Sequence, residues 1–227
     1  MREGRVILIG GGNSVKEGIE NGLWDKLKNE EVWSLNFAYQ FMPYPPKKQL
    51  WVDDSFFNKC VDDLEKLCKI NNVEMHTKRH RRYAYLQDYI KQYDVVREKG
   101  GFKEWCLKHE PIHVFCGSLG LVGFFALSIA VSMNYKEIYL LGYDWGSPNI
   151  NDKQTHWYQG NPNQPPSHGM GKPEIYLNND GANRKISDFD VYTNISDLKI
   201  YNASLISHIY QFPKLTWTDF FNQLEAT

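Results

Sequence analysis

Cysteine is scarce in this sequence, and none of the four cysteines forms a CxxC pair: Cys60, Cys68, Cys106 and Cys116. Structural zinc sites and disulfide frameworks need paired or regularly spaced cysteines, so the sequence suggests neither. His76 and His80 have the spacing of two ligands on one helix face, but no third ligand accompanies them. We therefore expect no metal site and a reducing compartment.

The sequence also lacks an excess of charge of one sign and a long hydrophobic run. Its 26 basic and 27 acidic residues give a formal net charge of -1, which argues against a surface dedicated to nucleic acid. The apolar run at residues 119–133 is shorter than the ~20 residues that span a bilayer, and it predicts a buried central helix. No signal-peptide pattern opens the chain. We expect a cytoplasmic protein with no transmembrane segment.

What the sequence has is a strand that runs directly into glycines. Residues 6–9 are apolar and uncharged, and the residues that follow are Gly10, Gly11, Gly12, Asn13 and Ser14. This pattern predicts a strand buried on both faces, a turn that approaches a ligand phosphate closely, and a helix whose first turn faces that ligand. Ser14 is predicted to cap the helix. The alternative is an ordinary βα turn of small residues with no ligand.

The remaining elements predict an α/β fold. Apolar segments with strand character occur at residues 31–36, 49–53, 73–76, 112–116, 137–142 and 198–202. Helical spacing occurs at residues 54–68 and 216–224, and the central helix lies between two of the strands. This order predicts a Rossmann-like, mostly parallel sheet flanked by helices. The length suits one domain over residues 1–227.

Two polar segments interrupt this pattern and are predicted to form a lid or insertions. Residues 78–110 are charged and rich in tyrosine, without a strong strand, and we expect helices there. Residues 143–190 hold most of the remaining prolines and many glycines and asparagines. Loops of this length in a compact domain are more often functional than ornamental.

Small or polar residues follow the predicted strands, at the edge where open α/β sheets bind ligands. They form the candidate nucleotide- and donor-binding set: Gly10, Gly11, Gly12, Asn13, Ser14, Asn36, Asp53, Gly117, Ser118, Asp144, Asn202 and Ser204. Strands also end simply where polarity begins, which explains part of this set. It does not readily explain Asn36 and Asn202, whose amides offer both a donor and an acceptor to a base or ribose.

A basic cluster forms a second candidate site. It consists of Arg79, His80, Arg81 and Arg82, and several tyrosines follow it. The functional interpretation is an acceptor-binding or anion-binding site, and basic residues among aromatic rings also suit a nucleic-acid acceptor. The alternative is a solvated helix face.

Four segments resemble bacterial sialyltransferases of the Campylobacter lipooligosaccharide type, in glycosyltransferase family 42. They are residues 7–14, 34–39, 123–144 and 198–204, and the stretch Tyr-Lys-Glu-Ile-Tyr-Leu-Leu-Gly-Tyr-Asp at 135–144 is the most specific. The segments are equally similar to the superfamily of archaeal 6-hydroxymethylpterin diphosphokinases, flagellin glycosylation proteins and uncharacterised phage proteins. The resemblance spans nearly the whole chain.

The resemblance to the sialyltransferases implies a CMP-sialic-acid-like donor, inverting transfer to a hydroxyl without a metal, and a histidine general base after the Gly-x-Asp strand. His156 and His168 are the two candidates for this base. Tyr143 and Tyr158 are candidates to stabilise the departing phosphate by hydrogen bonds. A dinucleotide is less expected than an activated sugar, because Val15 replaces the third glycine of G-x-G-x-x-G and Asn36 stands where an acidic residue belongs.

Other functions remain open at this stage. A diphosphokinase-like pyrophosphoryl transfer would use ATP and Mg²⁺, with Asp53, Asp54 and Asp144 as metal ligands. A non-catalytic nucleotide-binding module is a further alternative. A hydrolase with Ser118 as nucleophile is the weakest one, because its elbow lacks the first glycine.

The expected partners follow from the proposed transfer. We expect no permanently bound cofactor, a nucleotide-sugar co-substrate, and a glycan or another hydroxyl acceptor, with modified DNA not excluded. The oligomeric state is left open, a homo-oligomer being possible. A phage-encoded protein that acts in the host cytoplasm is compatible with the resemblance.

Overall fold

The computed structural model describes residues 4–80, 89–96, 113–115, 121–145, 156–158 and 186–226. Eight strands form one sheet in which every neighbouring pair is parallel. The strands are β1 Arg5–Ile9, β2 Val32–Leu35, β3 Lys48–Trp51, β4 Glu74–Lys78, β5 Ile90–Val96, β6 His113–Phe115, β7 Glu137–Leu141 and β8 Lys199–Asn202.

Helices pack on both faces of this sheet. The α-helices are α1 Val15–Glu20, α2 Leu23–Leu27, α3 Asp54–Asn71, α4 Val122–Ser132, α5 Asp190–Thr193 and α6 Trp217–Glu225. Two 3₁₀-helices, Asn36–Phe41 and Ser187–Phe189, lie between them. The α/β Rossmann-like fold predicted from the sequence is confirmed.

The alternation of side chains along each strand divides the core into layers. In β1, Val6 and Leu8 belong to the cluster that contains α4 and α5, whereas Ile7 and Ile9 belong to the cluster with α1, α2 and α6. A third cluster joins α3 to β3, β4 and β5. Because the central strands are covered on both faces, β1 and β7 each carry four consecutive apolar residues, as is typical of parallel sheets.

Helix α4 confirms the buried central helix that the apolar run predicted. Eight of its residues are buried. The buried Ser128 hydroxyl forms a hydrogen bond with the Tyr192 hydroxyl at 2.7 Å. No helix among the described residues is both long and apolar enough to cross a membrane.

The order of the strands fixes where a ligand can enter. Across the sheet the order is β6-β5-β4-β3-β2-β1-β7-β8. The chain therefore moves outward from β1 to β6 and then crosses back to place β7 on the other side of β1. The carboxyl ends of β1 and β7 form the topological switch point, where open α/β sheets bind ligands.

The prediction that residues 78–110 contain no strong strand was wrong. Ile90–Val96 forms β5, which pairs with β4 and β6 inside the sheet. Two of its charged residues form ion pairs. Lys91 pairs with Glu74 in β4, and Asp94 pairs with Arg79, the residue that follows β4. The sequence pattern hides the strand because these charged residues interrupt its apolar positions.

The rest of the two predicted lid segments falls mostly outside the described residues, as do Cys106 and Cys116. Their lid function stays a prediction, and so does the single-domain boundary at 1–227. Cys60 is a buried free thiol and Cys68 a half-buried one.

Candidate functional site

A cavity of about 280 Å³ lies at the switch point. The register pairs Ile9 with both Ser34 and Leu141, so the residues that follow β1, β2 and β7 meet at one edge. The lining includes nine of the predicted site residues: Gly10, Gly11, Gly12, Asn36, Asp53, Tyr143, Asp144, His156 and Tyr158. Leu35, Leu121, Val122, Gly123, Gly142 and Trp145 complete it.

The glycine loop is packed so closely that side chains are excluded from it. A Cβ atom on Gly10 would lie 2.8 Å from the Gly142 carbonyl oxygen, and one on Gly12 would lie 2.5 Å from the Asp144 Cγ. The Gly12 N–H donates to the Gly142 carbonyl over 2.9 Å. The loop after β1 is thus tied directly to the loop after β7.

Asp144 is the centre of that connection. Its carboxylate accepts hydrogen bonds from the Ser14 N–H at 2.8 Å, the Ser14 hydroxyl at 2.5 Å and the Ser204 hydroxyl at 2.8 Å. Asp144 is only 2% exposed. The prediction that Ser14 caps α1 with its side chain was wrong, since its hydroxyl bonds Asp144 instead.

The segment 156–158 is bound to the top of the glycine loop. The Trp157 N–H donates to the Gly11 carbonyl at 2.9 Å, and its indole Nε1 donates to the Gly10 carbonyl at 3.0 Å. Trp157 packs against the rings of Trp24 and Phe41, and Tyr158 stacks on Phe41. These contacts place both His156 and Tyr158 in the wall of the cavity.

The protonation states of these two side chains follow from their burial. Desolvation lowers the pKa of His156 to about 4, which leaves a neutral imidazole at neutral pH. Desolvation also raises the pKa of Tyr158, so its hydroxyl stays protonated and can donate. A neutral base and a neutral donor therefore lie side by side, with ring centroids 5.3 Å apart.

Tyr143 and Asn202 form hydrogen bonds with backbone groups around the cavity. The Tyr143 hydroxyl donates to the Gly123 carbonyl at 3.2 Å, and burial raises its pKa. Asn202 is fully buried and its amide donates to the Tyr143 carbonyl and the Ser207 hydroxyl. Asn202 and Ser204 do not line the cavity, and their contacts hold Tyr143 and Asp144 from behind.

Two residues at the cavity share an unusual backbone. Asn36 has φ 50 and Trp145 has φ 57, and both lie in the left-handed region that non-glycine residues rarely adopt. The Asn36 Oδ1 and the Trp145 Nε1 are each buried without a hydrogen-bond partner among the described residues. Asn36 was predicted as a site residue. Trp145 follows Asp144 at the same strand end but was not among the predicted donor-binding residues.

The acidic and basic residues at the neighbouring strand ends are in contact with each other. Asp53 lies at the cavity mouth, where partial burial raises the pKa of its carboxyl and Lys78 opposes this effect. The Arg79 Nε lies 2.8 Å from the Asp94 carboxylate, and the His80 Nε2 lies 3.2 Å from the Asp54 carboxylate.

Other predicted site residues are placed differently or cannot be placed. Asn13 lies in the glycine loop, where its carbonyl accepts from the Lys16 N–H, and neither Asn13 nor Ser14 lines the cavity. Five predicted residues lie outside the described part of the chain: Arg81, Arg82, Gly117, Ser118 and His168.

Few of the described residues that line the cavity are charged. No Lys or Arg occurs among the described residues that line it, and its two carboxylates belong to Asp53 and Asp144. Within residues 4–80 and the other described ranges, no group of three His, Cys, Asp or Glu side chains is placed to hold a metal ion. The described lining therefore offers mainly neutral donors and acceptors.

Comparison with known proteins supports the fold. No protein-family model and no curated protein matches this chain. A solved structure of a glycosyltransferase named MAf, from Magnetospirillum magneticum AMB-1, matches with a TM-score of 0.61 and 13% identity. The match covers 95% of this chain and 34% of that chain, so this chain spans about a third of the length of that protein. At this identity the likeness shows a common fold.

Proposed function

We propose that this chain is a glycosyltransferase domain that binds a nucleotide-activated sugar in the switch-point cavity and transfers the sugar to a hydroxyl acceptor. The observation that carries the proposal is the placement of His156 and Tyr158 in the cavity wall, directly against Gly11. A base and a hydrogen-bond donor in the wall of one cavity are the groups that this transfer needs. The matching fold of a protein described as a glycosyltransferase supports the same class.

In the proposed mechanism His156 is the general base. Its neutral imidazole accepts the proton of the acceptor hydroxyl as the acceptor oxygen forms a bond to the anomeric carbon of the sugar. The bond between that carbon and the phosphate oxygen breaks, and the leaving nucleotide takes the electron pair. This single displacement inverts the anomeric configuration. A phosphate bound nearby would raise the pKa of His156 from its low value and strengthen it as a base.

Tyr158 is proposed to stabilise the leaving group. Its raised pKa keeps the hydroxyl protonated, and a hydrogen bond from a neutral donor to the developing phosphate charge lowers the barrier. This role would substitute for the charge that a metal ion supplies in other transferases.

A CMP-sialic-acid-like donor is proposed over a nucleoside diphosphate sugar. The resemblance of residues 135–144 to sialyltransferases supports the same donor.

Thermal unfolding in the presence of nucleotides tests the binding step. We expect CMP or CMP-sialic acid to raise Tm without added metal, by mass action on the folded state. Stabilisation by ATP only with Mg²⁺ would favour the diphosphokinase alternative instead. No response to CMP, UDP, GDP, ATP or their sugars would contradict nucleotide binding altogether.

Substitution of His156 tests the catalytic step. We expect H156N to lower the rate of CMP release from CMP-sialic acid, with an oligosaccharide acceptor panel, by roughly 10²–10⁴-fold. The Kd for CMP should stay within about threefold, because the base acts on the acceptor hydroxyl. H208N is the matched control, since His208 does not line the cavity. Unchanged turnover in H156N would refute the base, and CMP binding without turnover in any variant would favour a non-catalytic module.

A further inference from the structure

Trp145 combines three properties that no core packing requirement explains together. It lines the cavity, its backbone has φ 57, and its indole Nε1 is buried with no hydrogen-bond partner in the described part of the chain. A bulky residue in the left-handed region is a genuine outlier, and such conformations cluster at ligand sites. An unsatisfied buried donor likewise asks for a partner that the described residues do not supply.

The ring of Trp145 is fixed in place by aromatic neighbours. It packs edge-on against Phe124 with centroids 5.5 Å apart and against Phe189 with centroids 5.3 Å apart. Phe124 and Phe189 are themselves buried. These contacts hold the indole ring against the core beside the cavity.

The chemistry of the cavity narrows what the indole can meet. An indole N–H is a donor only, so its partner must be an acceptor atom. Among the described lining residues the groups available to a phosphate are neutral donors, since none of these residues is Lys or Arg. A phosphate oxygen is the strongest acceptor that an activated sugar carries, because hydrogen bonds to ionised acceptors are stronger than neutral ones.

The position in the sheet agrees with a phosphate ligand. Trp145 follows β7, which pairs directly with β1, and the glycine loop follows β1. Neighbouring strands are about 4.8 Å apart, and Trp145 and the glycine loop line the same cavity. Asn36, with its own unpartnered Oδ1, follows β2 on the opposite side of the loop. A bound nucleotide can therefore contact Trp145 at one end and Asn36 at the other.

We propose that Trp145 contacts the ligand and donates its indole N–H to a phosphate oxygen of the nucleotide donor. This inference rests on the proposed function, since it names a contact of the same cavity. It assigns to Trp145 a role in affinity that depends on the phosphate.

The indole proton of Trp145 gives a direct readout by ¹⁵N–¹H NMR of the full chain. Its signal is assigned as the indole signal that disappears in W145F. We expect CMP to move this signal downfield, as a new hydrogen bond to a charged acceptor does, and cytidine up to its solubility limit to leave it in place. A shift of equal size with cytidine, or no shift at saturating CMP, would overturn the proposal.

The affinity of W145F supplies a second, independent measurement. We expect W145F to weaken CMP binding about tenfold, the loss for one hydrogen bond to a charged group. W33F is the matched control, because the Trp33 indole donates to Glu31 at the amino end of β2; its CMP affinity should match that of the wild type. A Kd for W145F within threefold of the wild type would contradict the contact.

The two proposals fail separately in this design. If the wild-type chain binds no nucleotide by thermal shift, the proposed function is wrong and the inference falls with it. If the wild type binds CMP but the Trp145 indole does not respond, the inference alone is wrong.

Discussion

At the scale of the residue, the site depends on the absence of a side chain at Gly11. A Cβ atom at Gly11 would lie 2.2 Å from the Cδ2 of His156 and 3.0 Å from the Tyr158 hydroxyl. The Gly11 carbonyl also accepts from the Trp157 N–H. Gly11 therefore provides both the space and the anchor for the segment that carries the proposed base.

Substitution G11A tests this dependence. The added methyl group must displace His156, because real Cβ atoms do not approach other atoms this closely. We expect CMP affinity to fall about tenfold or more and turnover to fall further, as measured by calorimetry and by CMP release. The control is G22A, whose glycine has φ 83 with nothing within 4 Å; it should lose about 1 kcal/mol of stability but keep its CMP affinity. Wild-type CMP binding by G11A would contradict the packing argument.

The sequence predicted the strand-end residues of the site better than their roles. Polar residues at strand ends led to Asn36, Asp53 and Asp144, because the carboxyl ends of parallel strands share one edge. The sequence could not show that Asn202 faces inward, since one position in a strand decides which face a side chain lies on. Trp145 stands next to Asp144 at the same strand end, but its φ angle, and its buried nitrogen without a partner among the described residues, are properties that no residue pattern reports.

At the scale of the element, two loops are joined by one carboxylate. Asp144 follows β7 and accepts hydrogen bonds from Ser14, after β1, and from Ser204, after β8. The ends of three neighbouring strands are thereby held together. The sequence instead favoured Asp144 as a ligand-binding group, because a capping role for Ser14 hid the contact between the two residues.

Substitution D144N tests whether the Asp144 carboxylate holds these loops together. The amide would present a donor where the carboxylate accepts three hydrogen bonds, so we expect a loss of about 2–4 kcal/mol in the free energy of unfolding. S204A removes one of the three bonds and should cost about 1 kcal/mol. Urea titration at neutral pH measures both values. A D144N variant as stable as the wild type would show that the carboxylate does not join the loops.

Strand β5 shows why element prediction failed in one place. Its charged residues look like those of a solvated helix, but Lys91 lies 2.7 Å from Glu74, and Asp94 lies 2.8 Å from Arg79. Such pairing between adjacent strands is a tertiary property. The central strands were predicted correctly because a strand that is buried on both faces shows a run of consecutive apolar residues in the sequence.

At the scale of the whole molecule, buried histidines link folding to pH. His76 is fully buried, stacked near Trp33 and Tyr93, with its Nδ1 2.8 Å from the Tyr93 hydroxyl. Burial lowers its pKa, and burial lowers that of His156 to about 4. The contact with His76, and then Lys91 and Lys48, lowers the pKa of Glu74.

All three groups act on stability in the same direction. In the unfolded chain a histidine takes up a proton near pH ~6.5, whereas the folded chain resists protonation until a lower pH. Between these values the unfolded state binds more protons, so stability falls as the pH falls. For His156 this window runs from pH ~6.5 down to about 4. The lowered pKa of Glu74 adds stability above its ordinary range that is lost in more acid solution.

The expected result is a steep loss of stability in mild acid. Each histidine contributes up to about 1.4 kcal/mol per pH unit inside its window, so the free energy of unfolding by urea should decline clearly from pH 7 to pH 5. H156N removes one titrating group and should reduce this slope. CMP should also reduce the slope, because a bound phosphate raises the folded-state pKa of His156 toward its unfolded value. A slope that is the same in the wild type and H156N would show that His156 is not desolvated in the folded protein.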